Sequence, residues 1–212
     1  MERERWKTKL QEEFLRSEQL QKENFRAQFE SLKSQIDPHF LFNSLNVLGS
    51  LIYRDPGKAV QFLGQLSKVY RIVLESNRKQ VVPLRTELEL VEAYTFLLKT
   101  RFGSNFQIMT DVPLEKMEHG LPPTAVQMLV EKAIKHNGYT PGEPLAIKIF
   151  VEGNKLVVAN NLQPRLEPAN SSKVGLQNIM NRYSHLTEEQ VEICPTEDEF
   201  IVKLPLLQEE EV

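Results

Sequence analysis

A histidine stands near the middle of the stretch SQIDPHFLFNSLN, Ser34 to Asn46, and its neighbours fix how it can be used. Asp37 is a good N-cap and Pro38 suits the first helical position, so a helix begins, or a longer one kinks, just before His39. From there His39, Asn43, Asn46 and Ser50 fall four, three and four residues apart, which makes one polar stripe. Leu41, Leu45, Leu48 and Ile52 form the neighbouring stripe, the face expected to be buried against other helices. His39 therefore heads the wet face. Alone, a histidine in a Phe-rich helix start reads as a packing or capping residue; the string around it must decide.

Three more stretches carry polar residues in close order: LVEKAIKHN from Leu129 to Asn137, VVANN ending at Asn160 and Asn161, and SSKVGLQNIMNRY, which holds Lys173, Gly175 and Leu176. The elements that must position them are legible. Residues 4 to 36 contain no Gly or Pro and are densely charged. Phe25, Phe29, Leu32 and Ile36 are spaced as a coiled-coil seam, so a long helix is predicted, with a stutter between Leu20 and Phe25. After the His39 helix, Asp55-Pro56-Gly57 is a turn that caps a new helix carrying Ala59, Leu63, Leu66, Tyr70 and Val73. Two antiparallel helices with matching seams cannot bury both faces alone, which implies a second hairpin from a partner chain and four helices in a homodimer. Thr86 with Glu89 reads as a capping box opening a third helix, ended by Gly103.

The texture then changes to strands mixed with helices. Phe106 to Val112 alternates like a strand, and Pro122-Pro123 starts the helix through QMLVEKAIKH. Ala146 to Val151 and Lys155 to Asn160 form a hairpin about Glu152-Gly153-Asn154. A polar loop from Leu162 to Lys173 leads into the helix GLQNIMNRYSHL, and strands follow near Val191 to Cys194 and Glu199 to Leu204. The expected organisation is α+β: a signalling helix over 1–36, a hairpin over 37–80 and an α/β domain over 81–212.

Composition bounds the partners. In 212 residues, 26 Lys+Arg against 29 Asp+Glu leave a net charge of −3 with no long basic run, which argues against a direct nucleic-acid ligand. The single cysteine, Cys194, excludes an internal disulfide and a cysteine-based zinc site, and its strand position predicts a buried small residue. No apolar run approaches the ~18 residues that span a bilayer, and the charged start has no signal-peptide core, so a soluble chain is expected.

Pro38 to Asn46, PHFLFNSLN, resembles the phosphoacceptor box of the LytS-type sensor histidine kinases, P-H-F-L-F-N. The three later stretches resemble, in order and spacing, the N, G1 and G2 boxes of the GHKL ATP-binding fold. That resemblance implies a dimeric hairpin bearing the phosphorylated His39, with Asn43 beside it, joined to a GHKL-type α/β sandwich that binds ATP. It implies nucleotide contacts at Glu131, Lys132, Lys135, His136, Asn137, Asn160, Asn161, Lys173, Gly175 and Leu176, with Lys135 and His136 close to the phosphates. Mg²⁺ is expected for the family. Here, however, Lys132 occupies the position of its asparagine ligand, and an ammonium has no acceptor with which to ligate a cation. Lys173 stands where the lid has its first glycine, and Asn160 where most kinases have the adenine-reading aspartate. The two lysines leave open either a site that has lost nucleotide, with the fold kept as a dimeric scaffold, or one in which they bracket the β and γ phosphates in place of the metal. The resemblance further implies a response-regulator partner, usually of LytTR type, and a place on the cytoplasmic side of a bacterial inner membrane, with the sensor and its membrane helices upstream.

Overall fold

The computed structural model describes residues 38–76, 78–103, 105–138, 140, 142–163 and 174–208. The predicted coiled-coil helix over 4–36, the loop through Lys173 and the lid glycine position lie outside the described residues. The chain divides into two compact units, residues 1–46 and 47–212.

In the first unit the described residues are the opening turns of helix α1, Pro38–Arg54. The helix starts where Pro38 predicts, and within it the buried Ser44 donates its hydroxyl to the Phe40 carbonyl at 2.8 Å. Of the stripe read as apolar, Leu45 and Ile52 are exposed, as are Phe42 and Tyr53.

The second unit takes up α1 from Val47. Asp55 closes one helix and opens the next: its N–H bonds to the Leu51 carbonyl, its carbonyl accepts from Ala59, and its carboxylate accepts from the Lys58 N–H at 2.9 Å. Helix α2, Pro56–Ser76, packs on α3, Leu84–Phe102. The face that α2 buries is Ala59, Phe62, Leu66 and Val69, so the predicted seam is offset, with Leu63 exposed at 50%. The predicted capping box is not formed. Helix α3 begins two residues before Thr86, at Leu84, and its N-cap, Pro83, makes no side-chain bond. Short strand pairing takes the place of the cap, since the Leu84 and Arg85 N–H groups bond to the His119 and Met117 carbonyls. Its other end is as predicted, with Gly103 at φ 79 and its N–H on the Lys99 carbonyl.

Two sheets follow. Strand β1, Val82–Pro83, pairs with β3, Gly120–Leu121, and Gly120 in turn bridges Leu207. The main sheet has the order β2-β4-β5-β7-β6: β2, Phe106–Asp111; β4, Leu145–Glu152; β5, Lys155–Asn161; β7, Glu199–Pro205; and β6, Glu192–Ile193. Its β2–β4 joint is parallel and the rest antiparallel, an α+β arrangement on a mixed sheet. Gly153, at φ 62, makes the β4–β5 turn. Helix α4, Ala125–His136, crosses between β3 and β4 and packs on β4 and β5, with α3 and α5, Val174–Tyr183, beside it. Alternation on β4 buries Leu145, Ile147 and Ile149. Cys194 corrects the expectation of burial: β6 is a two-residue edge strand paired only with β7, and the cysteine just beyond it is exposed.

Candidate nucleotide site

Helix α4 is positioned from its N-terminus by a side chain that sequence reasoning missed. Glu87, fully buried on the inner face of α3, accepts from the Thr124 N–H at 2.6 Å and from the Val126 N–H at 2.9 Å. These are donors that a helix start leaves unsatisfied, and a carboxylate there complements the helix dipole. Burial lifts the Glu87 pKa from 4.5 to about 7, against the opposing pull of those N–H groups and of Arg182. Thr124 meets this contact in the left-handed region, at φ 63. Arg182 on α5 donates to the Pro123 carbonyl at 2.7 Å, which ties a third helix to the same corner. The available signal for Glu87 was its place among Leu84, Leu90, Val91 and Tyr94, a carboxylate within an apolar stripe.

The other end of α4 is fixed by Asn137. Its Nδ2 donates to the Ala133 carbonyl at 2.9 Å and its Oδ1 accepts from the Gln163 N–H at 2.8 Å, while the Gly138 N–H reaches the Gln163 carbonyl at 2.6 Å. The segment leaving β5 is thereby stitched to the end of the helix.

Between these anchors lies a cavity of about 260 Å³. Leu129, Lys132, Ala133 and His136 line it from one face of α4, with Asn137 at the helix C-cap. Two paired rungs of the sheet form the opposite wall, Val158 with Val202 and Asn160 with Phe200, and Leu162 completes it. The Lys132 ammonium lies 5.0 Å from the centre of the Phe200 ring, a cation–π contact, and burial lowers its pKa. Asn160 is buried and its Nδ2 donates to the Asn161 carbonyl at 2.7 Å, so its acceptor oxygen is the end of the amide not held by that bond.

Of the residues predicted for nucleotide, the cavity gathers Lys132, His136, Asn137 and Asn160. Glu131 is turned to its own helix, paired with Lys135 and accepting from Gln127. Asn161 braces the start of β4, accepting from the Ala146 N–H at 2.8 Å. Gly175 and Leu176 begin α5, half-buried, with Gly175 beside Met128 of α4. Lys173 lies outside the described residues. Phe200 was missed, because only the register of β7 against β5 brings it to the cavity. Near the start of α1, His39 is exposed, and Asn43 has its Nδ2 buried with no hydrogen-bond partner among the described residues.

The cavity donors are one ammonium, one imidazole and two amides, with the Asn137 oxygen already taken. Mg²⁺ is a hard cation that takes oxygen ligands in near-octahedral array. The set does not fit it, and among the described residues no three His, Cys, Asp or Glu side chains gather as a metal site.

Residues 27–106 match the family model described as histidine kinase, a span that includes His39 and Asn43 and stops short of α4. Sensor protein LytS of Enterococcus faecalis is 36% identical over 129 residues, which are 61% of this chain and 22% of that protein. Sensor protein LytS of Staphylococcus haemolyticus is 40% identical over 110 residues, 52% of this chain and 19% of that protein. The chain resembles a LytS-type sensor histidine kinase. It spans about a fifth of the length of the LytS sensor proteins it matches. Among solved structures, the catalytic domain of the histidine kinase ThkA is similar at TM-score 0.41 and 19% identity, over 61% of this chain and 97% of that one. The histidine kinase AdeS of Acinetobacter baumannii is similar at TM-score 0.39 and 12% identity, over 76% and 84%. No helix among the described residues is long and apolar enough to cross a membrane.

Proposed function

We propose that the chain is the phosphotransfer and nucleotide portion of a two-component sensor: ATP is held in the α4 cavity, His39 takes its γ-phosphoryl group, and an aspartate of a response regulator receives it. The observation that carries this reading is His39 itself, exposed near the start of α1 and set within the segment that matches the histidine kinase family model. A ring nitrogen of His39 attacks the γ-phosphorus; the P–N bond forms, the β–γ bridging P–O bond breaks, ADP leaves and the ring loses its proton. Transfer to the regulator then breaks P–N and makes a new P–O bond to the aspartate. Such a step rests on positioning and on electrostatic stabilisation of the phosphoryl oxygens.

The cavity suits the base end of a nucleotide. Leu129, Val158, Leu162 and Val202 give apolar contact, Phe200 an aromatic edge or face, and the Asn160 oxygen an acceptor for an exocyclic amino group. The remaining parts of the reading follow the family: residues 37–80 as a dimerising hairpin, which the exposed Phe42, Leu45, Ile52 and Leu63 favour; residues 81–212 as the nucleotide domain; a LytTR-type regulator as partner; and attachment, through sensor segments outside this chain, to the inner face of a bacterial membrane.

A second reading, a dimeric scaffold that binds partners without ATP chemistry, is favoured by one observation: a lysine stands on the cavity wall where the family has a metal ligand. Incorporation of γ-labelled phosphate from ATP, with and without Mg²⁺, separates the two. The chain as given is compared with His39→Ala and with a Lys132→Asn, Lys173→Gly double variant. Acid-labile label on the chain and none on His39→Ala supports the kinase. Label only on the double variant means that the lysines silence a competent fold, and no label on either supports the scaffold.

A further inference from the structure

Among the described residues the charges about Lys132 do not close. Glu131, its neighbour in sequence, is committed to Lys135 and Gln127, and Glu199, beside Phe200, is committed to Lys148 at 3.1 Å. Among the described residues no carboxylate lines the cavity, and the ammonium is left half-buried over an aromatic ring on its wall. Removing an ammonium from water without a carboxylate opposite it is unfavourable, and a cation–π contact offsets only part of that cost. An anionic ligand would complete the arrangement. A metal-complexed one would be opposed, because its cation would face the ammonium, and among the described lining residues the Asn160 amide is the side-chain oxygen left to meet it.

We propose that the α4 cavity binds its nucleotide as the metal-free anion, with the Lys132 ammonium supplying the positive charge that Mg²⁺ supplies elsewhere. This rests on the nucleotide reading given above and specifies the form of the ligand. The base lies along Leu129, Val158 and Phe200, and the phosphate chain passes Lys132. Free ATP and ADP are then the ligands, and Mg²⁺ competes for the same phosphates rather than assisting them. Lys132 is a binding residue in this account, with no bond made or broken.

The test is isothermal titration of the full chain with ATP, once in excess EDTA and once in excess Mg²⁺, alongside Lys132→Asn and Lys132→Met. The methionine keeps the stem over Phe200 and removes only the charge; circular dichroism checks that both variants fold. The chain as given should bind ATP at least as tightly in EDTA as in Mg²⁺. Both variants should lose about tenfold or more of the EDTA affinity, the loss expected for one charge-assisted hydrogen bond. Tighter binding in Mg²⁺ than in EDTA by the chain as given overturns the metal-free form and leaves the nucleotide reading standing. Undiminished EDTA affinity in folded Lys132→Met overturns the role of the ammonium. If neither the chain nor Lys132→Asn binds ATP in either buffer, the proposal and the nucleotide reading fall together.

Discussion

Replacing Glu87 by glutamine removes a titration from the interior, and its effect on stability has a definite sign. The carboxyl is fully buried and protonates at about 7 in the folded chain, against 4.5 in the unfolded one. Between these values the folded state holds a proton that the unfolded state has released. The contribution of Glu87 is therefore largest below pH 4.5, declines as pH rises and is lost above 7. The gap corresponds to about 3 kcal/mol in full, most of it between pH 5 and pH 8. In Glu87→Gln this term is absent. What remains does not vary with pH: the amide, like the protonated carboxyl, offers one carbonyl acceptor to the two N–H groups of Thr124 and Val126, so the two chains differ least at the acid end. Urea denaturation of both chains at intervals from pH 5 to pH 8 reads the difference directly. The native chain should lose about 2–3 kcal/mol relative to Glu87→Gln over that range. Parallel stability curves would refute the assignment of a neutral-range proton to this corner.

Two further substitutions test the anchors of the site. Gly120→Ala would drive a methyl group into the Val81 Cγ1, in a backbone that pairs with Leu207 through both its N–H and its carbonyl. A loss of about 1–3 kcal/mol in the denaturation midpoint is expected, and an unchanged midpoint would mean that Val81 moves freely aside. Asn137→Ala frees the Gln163 N–H from the end of α4, so amide exchange at Gln163 should quicken about tenfold or more while that of the β5 interior is unaffected. Equal exchange in the two chains would show that the Gly138 contact alone holds the stitch.

Local signals carried much of the fold. The β4–β5 hairpin was legible from alternation and the Glu152-Gly153-Asn154 turn, and the close of α3 from Gly103, because each depends on residues near in sequence. The features that escaped depend on distant partners. Glu87 is explained only by Thr124 and Val126, far along the chain, and a nearby Thr86–Glu89 pattern offered a local use for the same segment. Phe200 reaches the cavity through its pairing with Asn160, which strand periodicity cannot register. Cys194 was expected inside because its stretch reads as a strand, but burial depends on whether a strand is central or at the edge, and β6 has a neighbour on one side only. At the site, four of the nine expected nucleotide residues that are described line the cavity, and those whose polar atoms are spent elsewhere, such as Glu131 and Asn161, could be recognised only from their partners.

The bridge between Gly120 and Leu207 bears on how the protein is made. A chain that emerges N-terminus first can curl α2 and α3 and turn the β4–β5 hairpin as soon as each is clear of the ribosome, since their contacts are local. The small β1–β3 sheet must wait, because one of its edges is completed by a residue translated much later. The parallel joint of β2 to β4 must wait as well, since the connection between them has to fold back through α4. Until Leu207 arrives, Gly120 presents an open strand edge, a template on which neighbouring chains can mispair.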